Sequence, residues 1–89
     1  MSLYRSAAQT LSTSYGSAIT IEDGARSISV TLDDSEIGFT VEIDSGNEEQ
    51  VPAGSSWSLR PPPPGIGADL PIKIKSASGT PVASVVWFR

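Results

Sequence analysis

The stretch SISVTLDDSEIGFTVEID, residues 27–44, decides the fold class of this chain. In SISVTL every second residue from Ile28 to Leu32 is aliphatic, and serine or threonine stands between them. In FTVEI the apolar residues from Phe39 to Ile43 alternate with threonine and glutamate. A period of two predicts strands with one face on a core and the other in water. The intervening DDSE is typical of a turn, so the stretch predicts two half-buried strands joined by a reversal.

The same pattern recurs along the rest of the chain, and no segment has the 3.6-residue period of a helix. Further strands are predicted in LSTSY (11–15), AITI (18–21), SSWSL (55–59), LPIKIKS (70–76) and PVASVVWFR (81–89). Turn residues separate them in EDGA (22–25), DSGN (44–47), VPAG (51–54) and SASGT (76–80). Seven or eight short strands at this spacing indicate an antiparallel sandwich or a small barrel. We expect an all-β, jelly-roll-like sandwich.

The chain is expected to form one domain with an arm. Its 89 residues leave no room for a second core, and without cysteine or histidine no disulfide or zinc site can stabilise it. Stability must come from packing and from oligomerisation. Residues 1–9 show no clear period and predict an extended N-terminal arm that docks on a neighbour through Leu3 and Tyr4. Residues 10–89 form the sandwich, with a proline-rich loop at 60–69.

The last predicted strand differs from the others because it is apolar on both faces. One face carries Val82, Val86 and Phe88 and the other Ala83, Val85 and Trp87. Such a strand either lies centrally under a second layer or has one face covered by another subunit. Two interpretations of Trp87 and Phe88 therefore stay open, as core residues or as interface residues.

Charge argues against several partners. The net charge is −4, and the first 49 residues hold nine acids against only Arg5 and Arg26. An acidic chain disfavours nucleic acid. No apolar run has the length of a membrane span or of a signal peptide core, so we expect no membrane partner and synthesis in a cytoplasm.

The sequence offers little for catalysis. Histidine and cysteine are absent, and no nucleophile elbow or phosphate-binding glycine motif is present. We expect no enzyme activity, no catalytic residue and no cofactor. The acidic turns at 33–36 and 44–49 could hold a hard cation if they met at one end of the sandwich, but solvated turns are the favoured interpretation, and no metal site is predicted. Trp57 and Trp87 lie on apolar strand faces, which favours core positions over a sugar-binding platform.

The stretch WSLRPPPPGIG, residues 57–67, contains four consecutive prolines. Pro61 and Pro64 with the adjacent Arg60 partly match the ligands of SH3 domains. Those ligands lie in disordered linkers, whereas this one joins two predicted strands. The favoured interpretation is a stiff loop that costs little entropy to order when it contacts a partner.

From Ala18 onward the chain resembles small β-sandwich structural proteins of tailed bacteriophage virions. The resemblance lies in ITIEDGARSISVTLDD, GFTVEIDSG, VPAGSSWSL and the final LPIKIKSASGTPVASVVWF, taken in order, and covers about 70 of the 89 residues. The four-proline loop departs from it, because similar proteins more often have a short turn at that place.

The resemblance implies a non-enzymatic virion component, foremost a capsid decoration or cement protein on the capsid surface. Its partners would be the major capsid protein and sister subunits, in a homotrimer or another symmetric cluster. The alternative is a carbohydrate-binding or host-surface-binding module of a head fibre or tail. The residues expected to contact the capsid or sister subunits are Leu3, Tyr4, Arg5, Arg60, Pro61, Pro62, Pro63, Pro64, Ile66 and Trp87.

Overall fold

A computed structural model describes residues 4–21, 25–43, 46–59 and 70–88. These residues form eight strands and no helix, so no helix in the described part could cross a membrane. The strands are β1 (Tyr4–Thr10), β2 (Ile19–Ile21), β3 (Ser27–Leu32), β4 (Phe39–Ile43), β5 (Asn47–Val51), β6 (Trp57–Leu59), β7 (Leu70–Ser76) and β8 (Val82–Phe88).

The strands form two four-stranded antiparallel sheets, in the orders β1-β8-β3-β6 and β2-β7-β4-β5. The pairing is nested along the chain, since β1 pairs with β8, β2 with β7, β3 with β6, and β4 with β5. Two further pairs, β3 with β8 and β4 with β7, complete the sheets. This arrangement is the strand order of a jelly roll, a long hairpin rolled into two facing sheets. The predicted antiparallel sandwich is confirmed.

Alternate residues of both sheets meet in one core between them. Val30, Val41 and Val85 are fully buried, as are Ile72 and Ile74. Each comes from a central strand of its sheet, where neighbours on both sides exclude water. The other buried apolar residues are Leu11, Ile21, Ala25, Ile28, Phe39, Val51, Trp57, Ala83 and Trp87. The period-two pattern thus marks the core correctly.

The N-terminal arm is corrected by the structure over residues 4–10, which form β1, an edge strand of the first sheet. β1 pairs with the whole length of β8, from Tyr4 opposite Phe88 to Thr10 opposite Val82. Its sequence lacks apolar alternation because an edge strand buries little, and Ala7 is the one apolar residue that faces inward. Backbone hydrogen bonds to β8 therefore hold β1 in place, and burial of its side chains contributes little.

Two other assignments differ between sequence and structure. Residues 11–15, predicted as a strand, form none. Instead this connection runs beside β7, where Ser76 N–H donates to the Ser12 carbonyl (2.8 Å) and Gly16 N–H to the Ile74 carbonyl (3.4 Å). Residues 47–51, for which no strand was predicted, form β5, an edge strand with a single buried residue, Val51.

Candidate interaction surface

The described residues on the outer face of the β1-β8-β3-β6 sheet carry no charge. Ala83, Val85 and Trp87 of β8 point into the core, so the residues between them point outward. The register of the neighbouring strands extends this face across the sheet. It consists of Ser6, Ala8 and Thr10 of β1, Val82, Ser84, Val86 and Phe88 of β8, Ser27, Ser29 and Thr31 of β3, and Ser58 of β6. We call this set the uncharged face.

An apolar strip, interrupted by Ser84, runs along β8 at the centre of the uncharged face. Val82 and Val86 are half-buried, and Phe88 is 44% exposed, the one exposed large hydrophobic residue among those described. The flanking serine, alanine and threonine side chains are short, so another surface can come close to the strip. Docking here removes no charge from water, which is the costliest part of burying a protein surface.

The outer face of the other sheet is charged. In its register Glu42 of β4 lies between Lys73 of β7 and Glu48 of β5. Lys75 lies two residues after Lys73 on the same side of β7, opposite Thr40. The two outer surfaces of the sandwich therefore differ in kind, one suited to contact with protein and the other to contact with water.

Tyr15 lies over the charged face, positioned by the connection that runs beside β7. Its hydroxyl donates to Glu48 Oε1 at 2.5 Å, and Lys75 Nζ lies 4.6 Å from its ring centroid. Partial burial raises the pKa of Tyr15 to about 12, with help from the hydrogen bond to Glu48 and the negative charges of Glu48 and Glu42. The phenol is thus a fixed neutral donor at physiological pH and a poor general base.

Both tryptophans belong to the core. Trp57 is 5% exposed and Trp87 6% exposed. The Trp57 indole N–H donates to Glu49 Oε2, whereas the Trp87 indole N–H is buried without a hydrogen-bond partner among the described residues. Trp87, expected as a contact residue, is corrected to a core residue because it falls on the inward face of β8. Neither ring offers a platform for a sugar.

Few of the other predicted contact residues can be placed. Arg5 lies in β1 with an exposed side chain, at the sheet edge. Tyr4 is the first residue of β1, and its side chain lies outside the described part. Leu3, Arg60, Ile66 and the four prolines of residues 61–64 also lie outside it, as does the whole predicted loop at 60–69. Their role as contact residues therefore stays a prediction.

The acidic turns are separated, contrary to the arrangement that a cation site would need. Residues 33–36 precede β4, whereas Gly46 and Asn47, where the described part of the second acidic turn begins, follow it, so the two turns lie at opposite ends of that strand. Asp33 Oδ1 accepts the Val82 N–H and Asp34 Oδ1 the Glu36 N–H, both at 2.9 Å. No group of three or more acids that could hold a metal occurs among the described residues.

An open depression of about 670 Å³ lies beside the first acidic turn, between the β3–β4 and β7–β8 connections. Asp33 and Asp34 line it together with Gly79, Thr80 and Pro81. Because both aspartates already accept backbone N–H groups, they stabilise the turns that connect the two sheets.

The sequence analysis did not predict the uncharged face. Its serine and threonine residues were visible at the polar positions of the alternating strands, but the neighbouring strands were not known.

Comparison with known proteins adds no relative, since no protein family model, no curated protein and no solved structure matches the chain.

Proposed function

We propose that this chain is a non-enzymatic structural protein of a phage virion, a capsid decoration protein that binds the outer capsid surface and stabilises it. The uncharged face is the observation that carries the proposal. It offers eleven outward side chains without a charge, and its central strand carries the apolar residues Val82, Val86 and Phe88. The net charge of −4 comes from residues outside this set, and it favours solubility.

The dimensions of the face fit a shell protein. Its four strands lie about 4.8 Å apart, and two of them have seven residues, one six and one three, so together they cover roughly 350 Å². A stable interface buries about 800 Å² on each partner, so a single contact through this face is weak. Many copies on a repeating lattice turn weak contacts into firm attachment, and contacts between sister subunits add to them.

The fold supports the same proposal at a coarser level. Jelly rolls occur in viral capsid proteins and in lectins, and their two-sheet architecture tolerates wide variation of the outer faces. Because one fold can have many functions, the surface chemistry is the stronger argument. The major capsid protein is the proposed partner, and the proline-rich loop at 60–69 remains a candidate second contact.

A charge placed in the middle of the uncharged face tests the proposal. Ser84 is exposed on β8 and lies between Ala8 and Thr31. In virions whose genome encodes the chain, Ser84→Glu should lower the amount of this protein relative to the major capsid protein at least tenfold, measured by gel densitometry. Thr20→Glu places the same charge at an exposed position of the other sheet and should leave the amount unchanged. The proposal would be overturned if virions carried the two variants in equal amounts. It would also be overturned if wild-type virions carried only a few copies of the protein for each particle.

The second candidate is a carbohydrate-binding module of a head fibre or tail, and Tyr15 is the observation that favours it. A half-buried aromatic ring beside Glu48, Glu42 and Lys75 combines an apolar surface with hydrogen-bonding groups, as sugar sites do. A glycan array that retains wild type but not Tyr15→Ala would favour this function. A failure to retain wild type on any glycan would remove it.

A further inference from the structure

The β1 strand has one paired edge and one open edge. Leu11 N–H donates to the Pro81 carbonyl at 2.8 Å, and this contact continues the β1–β8 register. In an antiparallel ladder, hydrogen-bonded pairs alternate with non-hydrogen-bonded pairs. Counting back from Leu11, the backbone groups of Gln9, Ala7 and Arg5 point toward β8. Those of Thr10, Ser6 and Ala8 point away from it.

The groups that point away have no backbone partner within the described chain. β1 is the edge of its sheet, and no hydrogen bond to the N–H or carbonyl of Ser6, Ala8 or Thr10 occurs there. All three side chains are exposed. A seven-residue edge of this kind can template another strand, and proteins usually block such edges with charges, proline or a bulge. β1 has one charged residue, Arg5, and no proline.

We propose that β1 pairs antiparallel with β1 of a second copy of this chain, about a two-fold axis at Ala7. This register places Ser6 opposite Ala8 of the second copy and Tyr4 opposite Thr10. All the outward-pointing backbone groups then fall in hydrogen-bonded pairs, while Ala7 forms a non-hydrogen-bonded pair at the axis. The symmetry is that of an ordinary closed dimer, in which each copy offers the same surface.

Side-chain chemistry agrees with this register. Arg5 of one copy lies opposite Gln9 of the other, so the pair places no like charges together. A shift that sets Arg5 opposite Arg5 would oppose two cations and pair fewer residues. The side chains nearest the axis, Ser6, Ala7 and Ala8, are small and do not obstruct the approach of two strands.

Pairing produces an eight-stranded sheet with the two uncharged faces side by side. The outward positions of β1 keep their side of the sheet, because opposite residues in a ladder point the same way. The inference rests on the geometry of the strand and holds whether or not the chain decorates a capsid. It commits to a pair of copies, where the resemblance to phage proteins implied a trimer or another cluster.

Proline at residue 8 tests the pairing. The Ala8 N–H points away from β8, so Ala8→Pro removes a donor from the open edge while leaving the β1–β8 ladder intact. Ala8→Val is the matched control, because it enlarges the same side chain and keeps the N–H. In sedimentation velocity from micromolar to millimolar concentration, wild type and Ala8→Val should dimerise, and Ala8→Pro should dimerise at least tenfold more weakly. Thermal unfolding checks that both variants fold.

Amide hydrogen exchange gives a second measurement that needs no variant. The amides of Ser6 and Ala8 should gain protection as concentration rises, whereas those of Ala7 and Gln9 should be protected at every concentration. A wild-type monomer at millimolar concentration would overturn the proposal. So would a dimer that Ala8→Pro leaves intact and Ser84→Glu abolishes, since that dimer would use the uncharged face.

Discussion

Trp57 and Glu49 join the two sheets at one side of the sandwich. Trp57 begins β6, an edge strand of the first sheet, and Glu49 lies in β5, an edge strand of the second. Glu49 is opposite the fully buried Val41, so its side chain starts on the inward side of its strand. From there it accepts the indole N–H of Trp57. A carboxylate thus satisfies a polar group that the core would otherwise bury alone.

Removing that acceptor should destabilise the fold. Glu49→Ala leaves the buried Trp57 N–H without its partner, and we expect the free energy of unfolding to fall by about 1–3 kcal/mol. Glu49→Gln keeps an acceptor oxygen and should recover most of the loss. Gln50→Ala, at the exposed neighbouring position, is the control and should change little. Urea unfolding measures all three; equal stability of Glu49→Ala and Gln50→Ala would contradict the prediction.

Tyr15 should make stability fall in alkali. Its pKa is raised from 10 to about 12 in the folded protein, so between these values the folded state holds a proton that the unfolded state has lost. The free energy of unfolding therefore decreases as pH rises through this window, and the contribution is complete below about pH 10. Phenolate absorbance and urea unfolding measure the two effects. Tyr15→Phe should remove this contribution, and Glu48→Gln should move the pKa back toward 10.

Gly38 and Gly16 should respond differently to alanine. A Cβ at Gly38 would lie 2.9 Å from the Val51 carbonyl oxygen and 3.3 Å from the Ala53 nitrogen, and these backbone atoms cannot move aside cheaply. A Cβ at Gly16 would meet only the end of the Gln9 side chain, at 3.2 Å. We expect Gly38→Ala to cost about 1–3 kcal/mol and Gly16→Ala less. Thermal unfolding of the two variants measures this difference. A larger loss of stability in Gly16→Ala than in Gly38→Ala would be inconsistent with the packing of β4 on β5.

Substitutions at Val85 and Val86 should distinguish an effect on stability from an effect on docking. They are adjacent on β8, but Val85 is fully buried in the core and Val86 is half-buried on the uncharged face. Val85→Ala leaves a cavity and should lower the free energy of unfolding by roughly 2 kcal/mol. Val86→Ala should lower it by less than about 1 kcal/mol. If the proposed docking is correct, Val86→Ala should instead reduce the amount of protein on purified virions, with solution stability nearly intact.

Side-chain pattern predicted the strands that the core needs. β3 and β7 occupy residues 27–32 and 70–76, as their alternation indicated, because each places aliphatic residues on an inward face. β5 was missed because NEEQV buries only Val51, and it is held by backbone pairing with β4. β1 was taken for an arm for the same reason. Edge strands carry little hydrophobic signal, so a sequence shows them poorly.

The candidate surface, too, could be predicted only in part from the sequence. The two apolar faces of β8 were visible in the sequence, and the structure assigns Trp87 to the core and Phe88 to the outer face. The neighbours that make the face uncharged come from β1 and β3, strands far from β8 in sequence. Which strands lie side by side depends on sheet order, and no local pattern encodes that order.

The nested pairing has a consequence for how the chain folds. β4 and β5 are neighbours in sequence, whereas Tyr4 and Phe88 meet only when nearly the whole chain has been closed into a loop. Loop-closure entropy favours the inner pair first, so assembly should proceed outward from the central hairpin and β1 should dock last. The last strand to dock is also the first to open. The edge through which we propose that two copies meet is therefore the element most readily exchanged between them.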